Sequence, residues 1–177
     1  GPTLRMKTGQ TTQTEARNSL DEPISVHWHG LLIPGEVDGG PHQPIAPGAT
    51  WQPELPLSQR SATAWYHSHV HGATARQVQM GLAGVLQIDD GQDDARGLPS
   101  DYGVDDLTLV LQDRRFTRRG QIDLSLSMPD RMMGYLGDTI LVNGQVGAAA
   151  VVPKGMVRLR LLNGSNARIY TLALSDK

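Results

Sequence analysis

Short apolar runs, many of them alternating with polar residues, succeed one another along this chain, and glycine or proline punctuates them. The segments ISVHWHGLLI (24–33), ATAWYHSHV (62–70) and LAGVLQIDD (82–90) are rich in β-branched and apolar residues, and Pro34-Gly35 stops the first of them. Such runs between turn formers predict strands. DLTLVLQDRRF (106–116), DTILVNGQV (138–146), MVRLRLLNG (156–164) and RIYTLALSD (168–176) predict more. Within 156–164 the alternation is clean: Val157, Leu159 and Leu161 face one way, Arg158 and Arg160 the other. One early stretch, KTGQTTQTEARNSL (7–20), offers only Thr12, Thr14 and Ala16 as alternating candidates, which fits an edge or surface strand.

The elements therefore predict an all-β protein, an antiparallel sandwich or barrel of about 90 residues followed by the opening strands of a second. DDGQDDARGLPSDYG (89–103) is charged, contains glycine and lacks periodicity, so it reads as a linker. The expected boundaries are a first domain at 1–92, a linker at 93–103 and an incomplete second domain at 104–177. Its apolar face, with Val157, Leu159 and Leu161, is expected to be covered by material outside the chain, because uncovered strands aggregate.

Composition narrows the possible partners. The formal net charge is −2 over 177 residues, so no basic footprint for nucleic acid or a membrane surface is present. No apolar run is long enough to span a bilayer, and Gly1-Pro2-Thr3 carries neither the charged nor the apolar segment of a signal peptide. With no cysteine there is neither a disulfide nor a thiolate metal site, so any metal is held by histidine and oxygen.

Histidine spacing is the strongest chemical signal. Six histidines scattered at random would give only about 0.2 pairs two apart. The chain has three such pairs, His27/His29, His67/His69 and His69/His71, and only His42 stands outside them. Side chains two apart on a strand share a face, so two neighbouring His-x-His strands present a cage of imidazoles.

Four readings of these residues compete. Ordinary strand histidines with backbone partners account for a lone histidine better than for two pairs flanked by tryptophan and tyrosine. HSHVHG approaches the H-x-H-x-D-H pattern of metallo-β-lactamases, but His71 stands where the aspartate belongs. A mononuclear three-histidine zinc site would leave one histidine idle. A multinuclear copper site would use imidazole, a good copper ligand, on both strands.

HWHGLLIPGEVDGGPHQPIAPG (27–48), WYHSHVHGATARQVQMGLAGVLQIDD (65–90), GDTILVNGQV (137–146) and VRLRLLNGSNAR (157–168) together resemble the first domain and early second domain of a multicopper oxidase, most of all the bacterial periplasmic cuprous oxidases and laccases. The resemblance runs in order through nearly the whole chain. It implies a cupredoxin-like Greek-key fold in both domains. It also implies that His27 binds a type 2 copper and that His29, His67 and His69 bind a binuclear type 3 pair. His71 matches a non-ligand position. Asp38, in GEVDGG, resembles the acid beside the type 2 copper that helps deliver protons to reduced oxygen; as a bare sequence feature it is equally a turn aspartate. Glu36 reads as solvated, and Trp28 and Trp65 as packing. Met128, Met132 and Met133 are soft enough for copper(I), but the family's methionine-rich segment lies beyond this sequence.

The resemblance also marks what is missing. The family's other half-site carries an H-x-x-H-x-H motif and an H-C-H-x-x-x-H motif whose cysteine binds the type 1 copper. Neither motif is here, so the expected partner is the remaining portion of the oxidase, as another chain or fragment. The reaction implied is one-electron oxidation of a small reducing substrate or copper(I), coupled to four-electron reduction of dioxygen to water, in the periplasm or outside the cell. The alternative is a non-catalytic copper-binding or metal-free cupredoxin-like scaffold.

Overall fold

The computed structural model describes residues 1–175, apart from the side chain of Asp94. In the first unit the strands are β1 (Leu4–Lys7), β2 (Thr11–Gln13), β3 (Ala16–Arg17), β4 (His27–His29), β5 (Thr50–Trp51), β6 (Glu54–Pro56), β7 (Ala62–His67) and β8 (Ala83–Asp89), with helix α1 (Thr74–Gln79) between β7 and β8. The second unit holds β9 (Asp106–Arg114), helix α2 (Met128–Met133), β10 (Thr139–Val142) and β11 (Arg158–Asn163). No helix among the described residues is long and apolar enough to cross a membrane.

One sheet, in the order β1-β8-β7-β4, forms the wall of the first unit, with β1 parallel to β8 and the remaining pairs antiparallel. The short pairs β2-β6 and β3-β5 close the opposite side. The stretch 7–20 forms two short strands, β2 and β3, each at the edge of a two-stranded pair. Between the two sides lies the core of Met6, Trp28, Leu31, Leu55, Leu57, Ala64, Leu86 and Ile88, each at most 8% exposed. Burying one such side chain stabilises by roughly 1.5 to 3 kcal/mol before cavity terms, so this cluster is what fixes strand register.

Three expected strands are shorter than their apolar runs. The run 24–33 keeps ladder geometry only over His27–His29, because Gly30 turns at φ 92° and Leu31 N–H closes the turn onto Trp28 O at 3.1 Å. The run 62–70 ends as a strand at His67 and bends toward α1. The run 138–146 ends at Val142, where Asn143 adopts φ 51° before Gly144. A fourth expectation fails: 168–175 contains no strand, and Asp176 lies outside the described residues. Ile169 and Leu174 are at least 90% exposed there, and no described strand pairs with the segment.

Between β8 and β9 the chain makes a short 3-10 turn, Asp94–Arg96. This stretch is tied to the second sheet, since Arg158 donates to Asp93 Oδ2 at 2.7 Å. In the sheet β10-β9-β11, Arg158 and Arg160 share one face and Leu159 and Leu161 the other, as the alternation predicts. The polar face is the one turned toward the first unit: Arg160 makes a two-pronged pair with Asp106, both contacts 2.6 Å, and reaches Thr63 Oγ1 at 3.1 Å. Leu159 and Leu161 remain 45% and 50% exposed.

Candidate metal centre

β4 and β7 pair antiparallel with His27 opposite His67, Trp28 opposite Tyr66 and His29 opposite Trp65. Alternation then sorts the side chains. Trp28, 3% exposed, packs into the core with Tyr66 against it, which leaves His27, His29, Trp65 and His67 on the opposite face. A one-residue slip would put the indole outside and the imidazoles in the core, so hydrophobic burial enforces the register that assembles the histidines.

The rings converge. His27 lies 5.4 Å from His29, 5.3 Å from His67 and 5.2 Å from His69 between ring centroids, and His67 lies 5.7 Å from His69. His27, His29 and His67 each offer a ligand atom within 4.8 Å of the others'. His29 Nδ1 faces His67 Nε2 at 3.2 Å. His69 falls outside that tightest group but remains in ring contact with two of its members, and its Nδ1 is buried without a hydrogen-bond partner. His42 and His71 are exposed. The three methionines sit on α2, where Met128, Met132 and Met133 are 69–81% exposed.

Two of the rings are oriented by backbone carbonyls. His67 Nδ1 bonds Ser68 O at 2.8 Å, and His27 Nδ1 bonds Asp38 O at 3.0 Å. With Nδ1 protonated in each, Nε2 keeps the lone pair that a metal would take. Trp65 lies tilted against His67, 4.2 Å between ring centroids, and 5.5 Å from His29, so it flanks both rings.

Asp38 is held at the cluster by its loop. It follows the 3-10 turn Gly35–Val37, its carbonyl also accepts from Trp28 N–H at 3.1 Å, and its Oδ2 stands 3.3 Å from His27 Nδ1. Gly39 makes the approach possible: its φ is +72°, and a Cβ there would overlap the Val26 carbonyl. Asp38 is thus a turn residue that also neighbours His27. Glu36 is exposed.

Burial pushes the His67 imidazole down to about 4, helped by the three neighbouring histidines and opposed by its bond to the Ser68 carbonyl. Burial also lowers His29, with His27 and His69 adding to it and Asp38 opposing. Both are neutral near pH 7, the state in which imidazole binds a metal.

These features fit a metal. The donors are all imidazole, two have their second nitrogen fixed, and one buried nitrogen lacks a partner; with no thiolate, copper, zinc or nickel chemistry suits the set.

A cupredoxin-like β fold bearing a cage of strand histidines defines the class. The sequence profile of the multicopper oxidases matches residues 1–93, over half of the chain, and the chain belongs to that family. It is 44% identical, over 99% of its length, to a multicopper oxidase of Staphylococcus aureus and to a cell division protein FtsP of Edwardsiella tarda. Those alignments cover 38% and 37% of the relatives, so the chain spans well under half their length. Among solved structures, a laccase-like multicopper oxidase CueO from an Ochrobactrum species superposes with a TM-score of 0.88 at 46% identity, over 93% of this chain and 37% of that one. The McoA multicopper oxidase 2F4 variant of Aquifex aeolicus superposes with a TM-score of 0.85 at 38% identity, over 93% and 36%. The family implies copper as the metal.

Sequence reasoning missed Ser25, Ser68 and Gln77, buried polar residues beneath the histidines. The one available signal was the serine inside His-Ser-His, a polar residue on the core side of the alternation.

Proposed function

We propose that this chain supplies half of the copper ligands of a laccase-type or cuprous oxidase, with His27 serving a type 2 copper and His29, His67 and His69 a type 3 pair. The observation that carries this reading is the convergence of four imidazoles, three from β4 and β7 and His69 from the loop after β7, in a member of the multicopper oxidase family. Neighbouring histidines on one strand can serve different metals, so two strands organise several ions without long loops. When bound, the coppers supply one-electron redox chemistry that couples oxidation of a small reducing substrate or copper(I) to reduction of dioxygen to water.

The chain's own residues do the rest. Carbonyls of Ser68 and Asp38 hold protons on Nδ1 of His67 and His27. Trp65 limits water and ring rotation on one side. Asp38, partly exposed with Oδ2 near His27, is placed to hold a proton between solvent and the site. The remaining ligands and a thiolate-bound type 1 copper belong to a companion portion of the oxidase, and the setting is periplasmic or extracellular.

A second reading draws on the equal identity to a protein named for cell division: a cupredoxin-like scaffold without turnover. Copper(II) titration followed by electron paramagnetic resonance separates the oxidase reading from the metal-free form of that scaffold, and oxygen uptake with the companion portion supplied separates it from the copper-binding form. The oxidase reading expects nitrogen-coordinated copper that His67→Ala weakens by at least about tenfold. No specific binding would favour the scaffold.

A further inference from the structure

β-Strand alternation does not explain why His69 points where it does. The ladder stops at His67, and the backbone bends into the loop before α1. Yet the His67 and His69 rings remain 5.7 Å apart and within 27° of parallel. Something other than the sheet holds them in register.

We propose that Ser25, Ser68 and Gln77 form a positioning clasp that sets the spacing and orientation of His67 and His69 for metal binding. The inference rests on the copper reading above, which it deepens. Each serine hydroxyl accepts from the backbone of the other segment: Ser25 N–H donates to Ser68 Oγ at 3.2 Å, and His69 N–H donates to Ser25 Oγ at 2.8 Å. The Ser68 hydroxyl then donates to Gln77 Oε1 at 2.5 Å, and Gln77 Nε2 donates to Pro23 O at 2.9 Å.

The clasp joins the two His-x-His segments outside the β4-β7 ladder. Ser25 lies two residues before His27, Ser68 lies between His67 and His69, and Gln77 anchors both from α1. Ser25, Ser68 and Gln77 are 3%, 1% and 1% exposed. Buried polar groups are costly unless satisfied, and here the bonds run in a closed chain from Pro23 to His69. Ser68 has no idle backbone group either: its N–H donates to Leu82 O at 3.0 Å and its carbonyl accepts from His67 Nδ1 at 2.8 Å. Rotation of the Ser68 peptide would therefore turn the His67 ring and shift the His69 backbone together. None of the three side chains reaches a ligand nitrogen, so all act through the histidines.

Ser25→Ala removes only the acceptor for His69 N–H. In the whole 177-residue chain, copper(II) affinity is measured by chelator competition, the copper spectrum by electron paramagnetic resonance, and stability by thermal melt. Ser25→Ala is expected to weaken copper binding by about tenfold or more and to change the hyperfine splitting, while Ser25→Thr, which keeps the hydroxyl, restores both. Leu111→Ala, buried in the second sheet, is expected to lower the melt without altering either copper readout. A Ser25→Ala chain that melts lower yet keeps native affinity and spectrum overturns the proposal, because the clasp then serves only the fold. Should Ser25→Ala not fold, Gln77→Met makes the same comparison from α1: an altered spectrum supports the clasp, an unchanged one overturns it. If His67→Ala does not change copper binding by the native chain, the copper reading itself falls and takes the clasp with it. If His67→Ala loses copper while Ser25→Ala keeps it, the clasp alone is wrong.

Discussion

His29 Nδ1 and His67 Nε2 face each other at 3.2 Å across the β4-β7 ladder. At that distance two imidazolium groups repel, and a shared proton or a metal ion relieves the repulsion.

Acid should therefore destabilise the metal-free chain. His67 is lowered to about 4 in the folded state from 6.5 unfolded. Between those values the unfolded chain binds more protons, so stability is full above about pH 6.5 and falls as pH drops toward 4. Allowing for water at the edge of the cluster, the expected loss is about 1 to 2 kcal/mol, seen as a fall in Tm of roughly 2 to 6 °C. The melt of His67→Ala should show a shallower slope over this window. An equal slope would assign the acid sensitivity elsewhere.

Gly39→Ala tests how Asp38 is placed. The new methyl meets the Val26 carbonyl and must adopt φ +72°, so the loop shifts away from His27. The expected cost is about 2 to 4 kcal/mol in urea denaturation, with weaker copper binding as the Asp38 carbonyl leaves His27 Nδ1. Unchanged stability and affinity would show that the loop relaxes without strain.

The sequence made one half of this site legible and hid the other. His27, His29 and His67 were visible because strand alternation is a local rule and Trp28 supplies an unambiguous core face. His69 was assigned to the same strand, but its direction depends on Ser25, 44 residues away, and no periodicity encodes such a contact. Likewise the alternation of Arg158, Leu159, Arg160 and Leu161 was read correctly as two faces. Which face met the first unit depended on Asp93, Asp106 and Thr63, which lie far from β11 in the chain. The strand expected at 168–176 had propensity, but a strand also needs a neighbour.

Arg160→Lys should loosen the second sheet and its contact with Thr63 of the first unit. Arg160 fills both oxygens of Asp106, a residue 3% exposed, and the planar fork has no lysine equivalent. Leaving a buried carboxylate half-paired is expected to cost about 3 kcal/mol. The measurement is urea denaturation with hydrogen exchange, in which β9 and β11 amides should lose protection before β7 and β8. Simultaneous loss throughout would mean that the units unfold as one.

Leu159, Leu161 and Ile140 leave an apolar outer face, each at least 42% exposed, on the second sheet. The isolated chain should therefore self-associate as concentration rises, and Leu159→Lys with Leu161→Glu should reduce this in sedimentation measurements. A monomer at every concentration would show that the face tolerates water.

The last prediction concerns turnover. On the proposed reading, electrons from a reducing substrate enter through a thiolate-bound copper, and this chain contains no cysteine with which to build one. The imidazoles gathered here account for half of the ligand set implied for the oxygen-reducing centre, so the chain loaded with copper should bind the metal without consuming oxygen. Supplying a companion portion that carries the His-Cys-His motif should restore oxygen uptake and the blue absorption of a type 1 copper together. In that reconstituted protein His67→Ala should lower oxygen uptake by about a hundredfold or more, because on the proposed assignment it removes a ligand of the oxygen-reducing centre and leaves the blue copper in place. Loss of the colour as well would mean that His67 supports assembly of the two portions. Sustained oxygen consumption by the verified 177-residue chain alone would defeat the split-centre reading and require a self-contained redox site among His27, His29, His67 and His69.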